Sequence, residues 1–281
     1  MKHSTKTVSK DAINVLGTEN ADAKAARAII FGGKWKDKMG NLPVGKCELP
    51  PKPARPQQPL MLRPAEVPRR RINRNISGRI ALLHALAHIE LNAIDLACDL
   101  IARFAGNPML PNNFARDWIG VATDEAKHFQ LLARRLKELD SYYGDLPAHD
   151  SLWEVAEKTA DDLLGRLAIV PLVLEARGLD VTPPMISKLR KVEDHASADI
   201  LEVIHNDEIT HVAVGQRWFQ YLCERMNLNP SKTFHALVRQ YFNGQLKPPF
   251  NKDSRDAAGI PRSFYTDLVN EETSILLHNL S

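Results

Sequence analysis

The sequence predicts an all-α protein: a four-helix bundle preceded by short N-terminal helices and a proline-rich strap, and followed by an additional C-terminal helix. Three observations predict it. From Ser77 to about Met226 the apolar residues recur with a 3.6-residue period over long runs. No window of five or more residues alternates convincingly with period 2, as a half-buried strand would. The punctuation between the periodic runs is that of helix ends, with Gly106-Asn107-Pro108 after the first run and Tyr143-Gly144 and Pro147 after the second.

The elements follow in order. Residues 10–31 read as one or two short helices, of which AKAARAII is the clearest piece. Eight prolines between Pro43 and Pro68 forbid regular helix and central strand alike, so this stretch is an extended strap leading to Arg69-Arg70-Arg71. The first long helix spans ISGRIALLHALAHIELNAIDLACDLIARF, with Leu83, Leu86, Ala93, Ala97, Leu100 and Phe104 in its stripe. A second runs from about Pro111 to Leu139. A third starts near Ser151, capped with the help of Glu154, and continues through Leu174 with a kink at Pro171. Thr182-Pro183 has the cap-then-proline form of a helix start, which opens a fourth helix reaching about Met226 with a break near His195. Residues 230–243 form a shorter fifth helix, and the tail after Pro248 reads as irregular. The expected division is an arm with strap over residues 1–76, the bundle with its added helix over 77–245, and a tail over 246–281.

Composition narrows the class. The 44% hydrophobic and 25% charged residues are those of an ordinary globular protein. No stretch approaches the roughly 18 apolar residues of a membrane span, and the N-terminus lacks a signal peptide's apolar run. Cys47, Cys98 and Cys223 lie far apart with no CxxC, which argues against a disulfide framework, a zinc ribbon or a rubredoxin-type iron centre. A reducing cytoplasm is the expected compartment. The net charge of +3 hides an asymmetry. Residues 1–76 hold 16 Lys and Arg against 6 Asp and Glu, while the remaining 205 residues hold 21 against 28. Such a basic arm either packs on the acidic body, stands in solvent, or meets an anionic partner such as a nucleic acid.

Each of the four long helices carries a glutamate on its apolar face. Glu90 continues the stripe of Leu83, Leu86, Ala97 and Ile101. Glu125 and His128 share a face with Trp118, Val121 and Leu132. Glu175 follows Leu164, Ala168 and Leu172, and Glu208 and His211 line up with Leu201, Ile204, Gly215, Trp218 and Leu222. Burying one unpaired carboxylate costs several kcal/mol or more, so four at one level of a bundle require cations. Glutamate alone on two helices and Glu-x-x-His on the other two supply four carboxylates and two imidazoles. Two divalent ions balance that charge, and the i, i+3 spacing lets one helix offer both donors to one metal. This is the donor set of ferritin-like di-iron and di-manganese proteins. The gaps agree: 35 residues separate Glu90 from Glu125 and 33 separate Glu175 from Glu208, so two matched hairpins read as a diverged duplication. A lone ExxH carries almost no information; two in register with two further in-face glutamates carry much. The bland reading is four helices with incidental ion pairs.

Both motifs read Asp-Glu-x-x-His, so Asp124 and Asp207 are expected to hold the ligating imidazoles from outside, each serving the opposite motif, unless they are merely solvated. His205, one turn before Glu208, is a candidate seventh ligand or proton relay. For it, as for His84 and His88, packing and surface roles compete. His195 belongs to a solvated stretch.

With these residues in place the chain resembles the ferritin-like family called domain of unknown function 455, over roughly residues 15–245. The most specific pieces are HALAHIELNAIDL, TDEAKHF, LEARGLDVTP and IHNDEITHVAVGQRWF. The resemblance implies a ferritin-like fold and a dinuclear metal site carried by Glu90, Glu125, His128, Glu175, Glu208 and His211; it implies no substrate. More distantly the layout is similar to the di-iron tRNA hydroxylase acting on methylthio-isopentenyl-adenosine, which also has two Glu-x-x-His helices, an analogy that cannot carry the substrate over.

The functional expectation is an oxidoreductase with two iron ions and O₂ as co-substrate, acting on a small organic molecule with an unidentified electron donor. Glu125 and Glu208 are its expected catalytic carboxylates. Manganese suits the same donors. A metal-storing or metal-sensing protein is the alternative from another class, and RNA modification a third. The arm and C-terminal extension weigh against a ferritin cage. The absence of a four-cysteine centre weighs against a rubrerythrin, and the distance of the tyrosines from the ligands in sequence weighs against a radical-bearing subunit. A homodimer is compatible with the sequence but not specified by it.

Overall fold

The computed structural model describes residues 6–35, 38, 40–67, 70–242 and 244–269. Pro68, Arg69 and the chain from residue 270 lie outside the described residues. Among the described residues the fold is all-α, with no β-strand and one isolated parallel bridge between Met61 and Ala148. The chain falls into two compact units, Met1–Glu154 with Met185–Leu201, and Val155–Pro184 with Glu202–Ser281.

In the first unit, α1 (Val8–Leu16) starts where the Thr7 hydroxyl accepts from the Lys10 N–H, and α2 (Ala21–Trp35) where the Asn20 side chain accepts from the Ala23 N–H. α3 (Ile76–Phe104) is capped by Asn75, and α4 (Asn112–Glu138) follows Pro111. α1 packs on α3, α2 packs on α4, and α3 and α4 share the most extensive interface of the unit. Gly32 of α2 lies so close to α4 that a Cβ there would overlap the Thr123 side chain. The basic arm is thus part of a packed core. Its Lys24, wholly buried, donates to Asp95 of α3 at 2.5 Å and to the Ala54 carbonyl at 2.9 Å. Arg55 of the strap reaches the same Asp95 at 3.2 Å.

One sequence expectation needs correcting here. No stretch suggested a membrane span, yet α3, at 29 residues, is long and apolar enough by length and composition. Its most apolar stretch is 72% buried inside the protein, and it carries Glu90, Asp95 and Asp99. It is apolar nearly all round because it is the central core helix.

The expected third and fourth helices differ from those found. Instead of one helix through Leu174, a short α5 (Ser151–Lys158) ends and the chain restarts at α6 (Leu163–Ile169), where the Asp162 side chain accepts from the Gly165 N–H. Helical backbone then runs without interruption to Lys191, through a π turn (Val170–Glu175) and α7 (Ala176–Lys191). Thr182-Pro183 therefore lies inside α7, not at a start. Pro183 cannot bond the Leu179 carbonyl one turn back, and Asn251 Nδ2 donates to that carbonyl instead, at 3.2 Å. The break comes at residues 192–194, with Glu193 at φ 62°. Asp194 then opens α8 (His195–Arg225) by accepting from the Ser197 N–H, while Arg79 and Arg135 hold its carboxylate at 2.7 and 2.9 Å.

In the second unit α6 packs on α9 (Pro230–Tyr241). The segment after Pro248, read as irregular, contains α10 (Lys252–Ala257) and further helical residues 262–269. Periodicity missed both because each is shorter than the window that reveals it. Arg255 ties this segment to α7: its guanidinium lies over both the Phe250 and Tyr265 rings and bonds both Asp180 oxygens, at 2.8 and 2.7 Å.

Candidate metal centre

The first unit gathers one of the two predicted triads. Glu90 comes from α3, and Glu125 and His128 from α4, where the i, i+3 spacing puts them on one face. One potential ligand atom from each lies within 4.8 Å of the others. His128 Nδ1 is 3.3 Å from a Glu90 oxygen and 3.5 Å from a Glu125 oxygen. All three are buried, at 4%, 0% and 1% exposure. Burial, followed by repulsion from the Glu125 carboxylate, pushes the Glu90 carboxyl well above its ordinary value, and the bond to His128 offsets only part of this.

The second unit carries the other triad. Glu208 and His211 repeat the spacing on α8, with His211 Nδ1 3.6 Å from a Glu208 oxygen. His211 is buried and Glu208 half-buried. Glu175 is the last residue of the π turn, in the middle of the helical run from residue 163 to 191, rather than near a helix end. It is half-buried.

The predicted outer residues are distributed as follows. Asp124 is half-buried and pairs with Lys127 at 2.8 Å along the outer side of α4. Asp207 is half-buried, and its backbone carbonyl accepts from the Thr210 hydroxyl at 2.7 Å. His205 turns its Nε2 toward the Ser254 hydroxyl of α10, 3.3 Å away, and its Nδ1 is buried. His195 is exposed, as expected.

Sequence reasoning placed no tyrosine near the ligands. Tyr143, in the loop after α4, nevertheless packs edge-on against Phe129, the residue following His128, at 5.3 Å between ring centroids. Its hydroxyl donates to His88 Nδ1 at 2.9 Å, while His88 Nε2 donates to the His149 carbonyl.

These features define the class: an all-α protein with a buried carboxylate–imidazole cluster of metal-ligand composition. The chain belongs to the family described as "Protein of unknown function (DUF455)", which matches residues 17–266. The match runs beyond the resemblance read from the motifs, taking in α10. A relative from Haemophilus influenzae, named "Uncharacterized protein", is 42% identical over 208 residues, covering 73% of this chain and 72% of its own length. No solved structure matches. Neither comparison supports the likeness to the tRNA hydroxylase.

Proposed function

We propose that this protein is a ferritin-like di-iron carboxylate protein that uses O₂ to oxidise an organic substrate, with Glu90, Glu125, His128, Glu175, Glu208 and His211 as its metal ligands. The observation that carries the reading is the burial of Glu90 and Glu125 together beside His128. Two carboxylates pressed together out of water repel each other, as the upward shift at Glu90 records, and a divalent cation reverses that penalty. The donors fit iron or manganese: carboxylate oxygens with one imidazole per triad, and no thiolate among them. The second triad has the same composition and the same Glu-x-x-His spacing, with a Glu–Glu gap of 33 residues against 35.

When bound, the two irons would supply the electrons for reducing O₂. The chain's own residues do the rest. Glu90 and Glu175 bring charge without motif partners, and Glu125 and Glu208 pair with imidazoles held at 3.5 and 3.6 Å by the helix repeat. Buried Trp118, Val121 and Leu132 on α4 keep water from the first triad.

The test is oxygen uptake. Protein loaded anaerobically with ferrous iron and then mixed with oxygenated buffer should consume O₂ in fixed proportion to bound iron and keep that iron through desalting. A Glu125→Ala/Glu208→Ala variant should do neither. Oxidation that ends in released ferric iron would replace the enzyme with storage, and uptake equal to that of the variant would remove the centre from the reaction.

A further inference from the structure

Pro171 and Gly215 meet inside the second unit, one turn away from a predicted ligand on each side. Pro171 lies four residues before Glu175, and Gly215 four residues after His211. Both are buried, and a Cβ on Gly215 would overlap the Cβ and Cγ of the proline ring. Here the Pro171 ring of the π turn rests directly on the backbone of α8 at Gly215.

The π turn itself follows from the proline. Val170 still donates to the Arg166 carbonyl four residues back. Pro171 has no N–H, so the Leu167 carbonyl loses its usual partner and the helix widens. At the far end the Ala176 N–H reaches the Pro171 carbonyl, five residues back. The wide register closes just after Glu175, so the widening sets the direction in which that glutamate leaves the helix. An α-helical turn over the same residues would rotate Glu175 away from its present bearing.

We propose that Gly215 is a positioning residue for the metal centre: by letting Pro171 seat against α8, it fixes where the Glu175 carboxylate stands relative to Glu208 and His211. The inference rests on the proposed metal centre and adds a residue that neither the ligand motifs nor charge would identify. No metal ligand is changed by altering it. A methyl group at residue 215 would stand 2.3 Å from the Pro171 ring, so the π turn must shift off α8 one turn from the ligands.

The experiment uses cobalt(II), whose visible absorption reports coordination geometry. Full-length wild type, Gly215→Ala, Pro171→Gly and the double variant are titrated with Co(II), with helix content followed by circular dichroism. The expected result is wild-type helix content in all four, a changed Co(II) spectrum with roughly 10-fold weaker binding or more in Gly215→Ala, and a changed spectrum also in Pro171→Gly and in the double variant, where the restored N–H at residue 171 removes the cause of the π turn. Gly215→Ala with wild-type spectrum and affinity overturns the proposal. Should Gly215→Ala fail to fold, Pro171→Gly decides from the other side: an unaltered spectrum overturns the proposal and an altered one supports it. A wild-type chain that takes up no cobalt contradicts the metal centre itself, an outcome distinct from a Gly215 variant that binds normally.

Discussion

A Glu90 oxygen lies 3.3 Å from Nδ1 of His128, joining residues 38 positions apart on α3 and α4. The helix hairpin creates this contact, and it puts a second carboxylate beside the one His128 already has in Glu125. Without a cation the arrangement opposes folding, since burial and the Glu125 charge raise the Glu90 carboxyl far above its ordinary value.

Glu90→Gln should therefore act in opposite directions on stability and on binding. In metal-free protein it replaces a carboxyl whose charged form burial and Glu125 disfavour, while keeping the shape, and should stabilise by on the order of 1 kcal/mol, a rise of about 2–4 °C in Tm. In metal-loaded protein it should lower the metal retained. Paired melts with and without chelator check this; a lower Tm in the metal-free variant would make Glu90 a structural acceptor instead.

Lys24 and Asp95 make the arm part of the core. Both side chains are fully buried. Lys24→Met leaves Asp95 with its longer contact to Arg55 and should cost about 3–5 kcal/mol in urea unfolding. Lys24→Met/Asp95→Leu should recover most of that, because no charge is then stranded. A nearly neutral single variant would show that Arg55 alone suffices.

His84 and His88 should make stability depend on pH. Burial holds His84 at about 4 and His88 at about 3, against 6.5 for an ordinary histidine. Below about 6.5 the unfolded chain takes up protons that the folded chain refuses, so stability is full above that pH and falls as pH drops toward about 4. The metal-free wild type should lose urea midpoint from about pH 7 to about pH 5, and His84→Gln/His88→Gln should flatten that slope. An unchanged slope would assign the loss to other groups.

How much of this the sequence disclosed depends on the kind of interaction. The faces of α3 and α4 were legible because a 29-residue and a 27-residue helix repeat their pattern many times. The Glu-x-x-His spacing was legible because i, i+3 is a local relation. The bounds of the third and fourth helices were not. Pro183 looks like a helix start by local chemistry, and only Asn251, some seventy positions away, makes it tolerable inside α7. Likewise Pro171 predicted a kink, whereas the backbone of Gly215 opposite lets it form a π turn. The contact of Tyr143 with Phe129 left no trace in spacing because a loop sets it. Non-local compensation of this sort is invisible to any reading that moves along one chain.

Metal content tests the central claim most directly. Protein produced without added metals, desalted and analysed for transition metals, should retain about two ions per chain, iron or manganese, as four carboxylates and two imidazoles require. Glu125→Ala/Glu208→Ala, folded to the same helix content, should retain almost none. Wild type that holds no more metal than this variant would contradict the account.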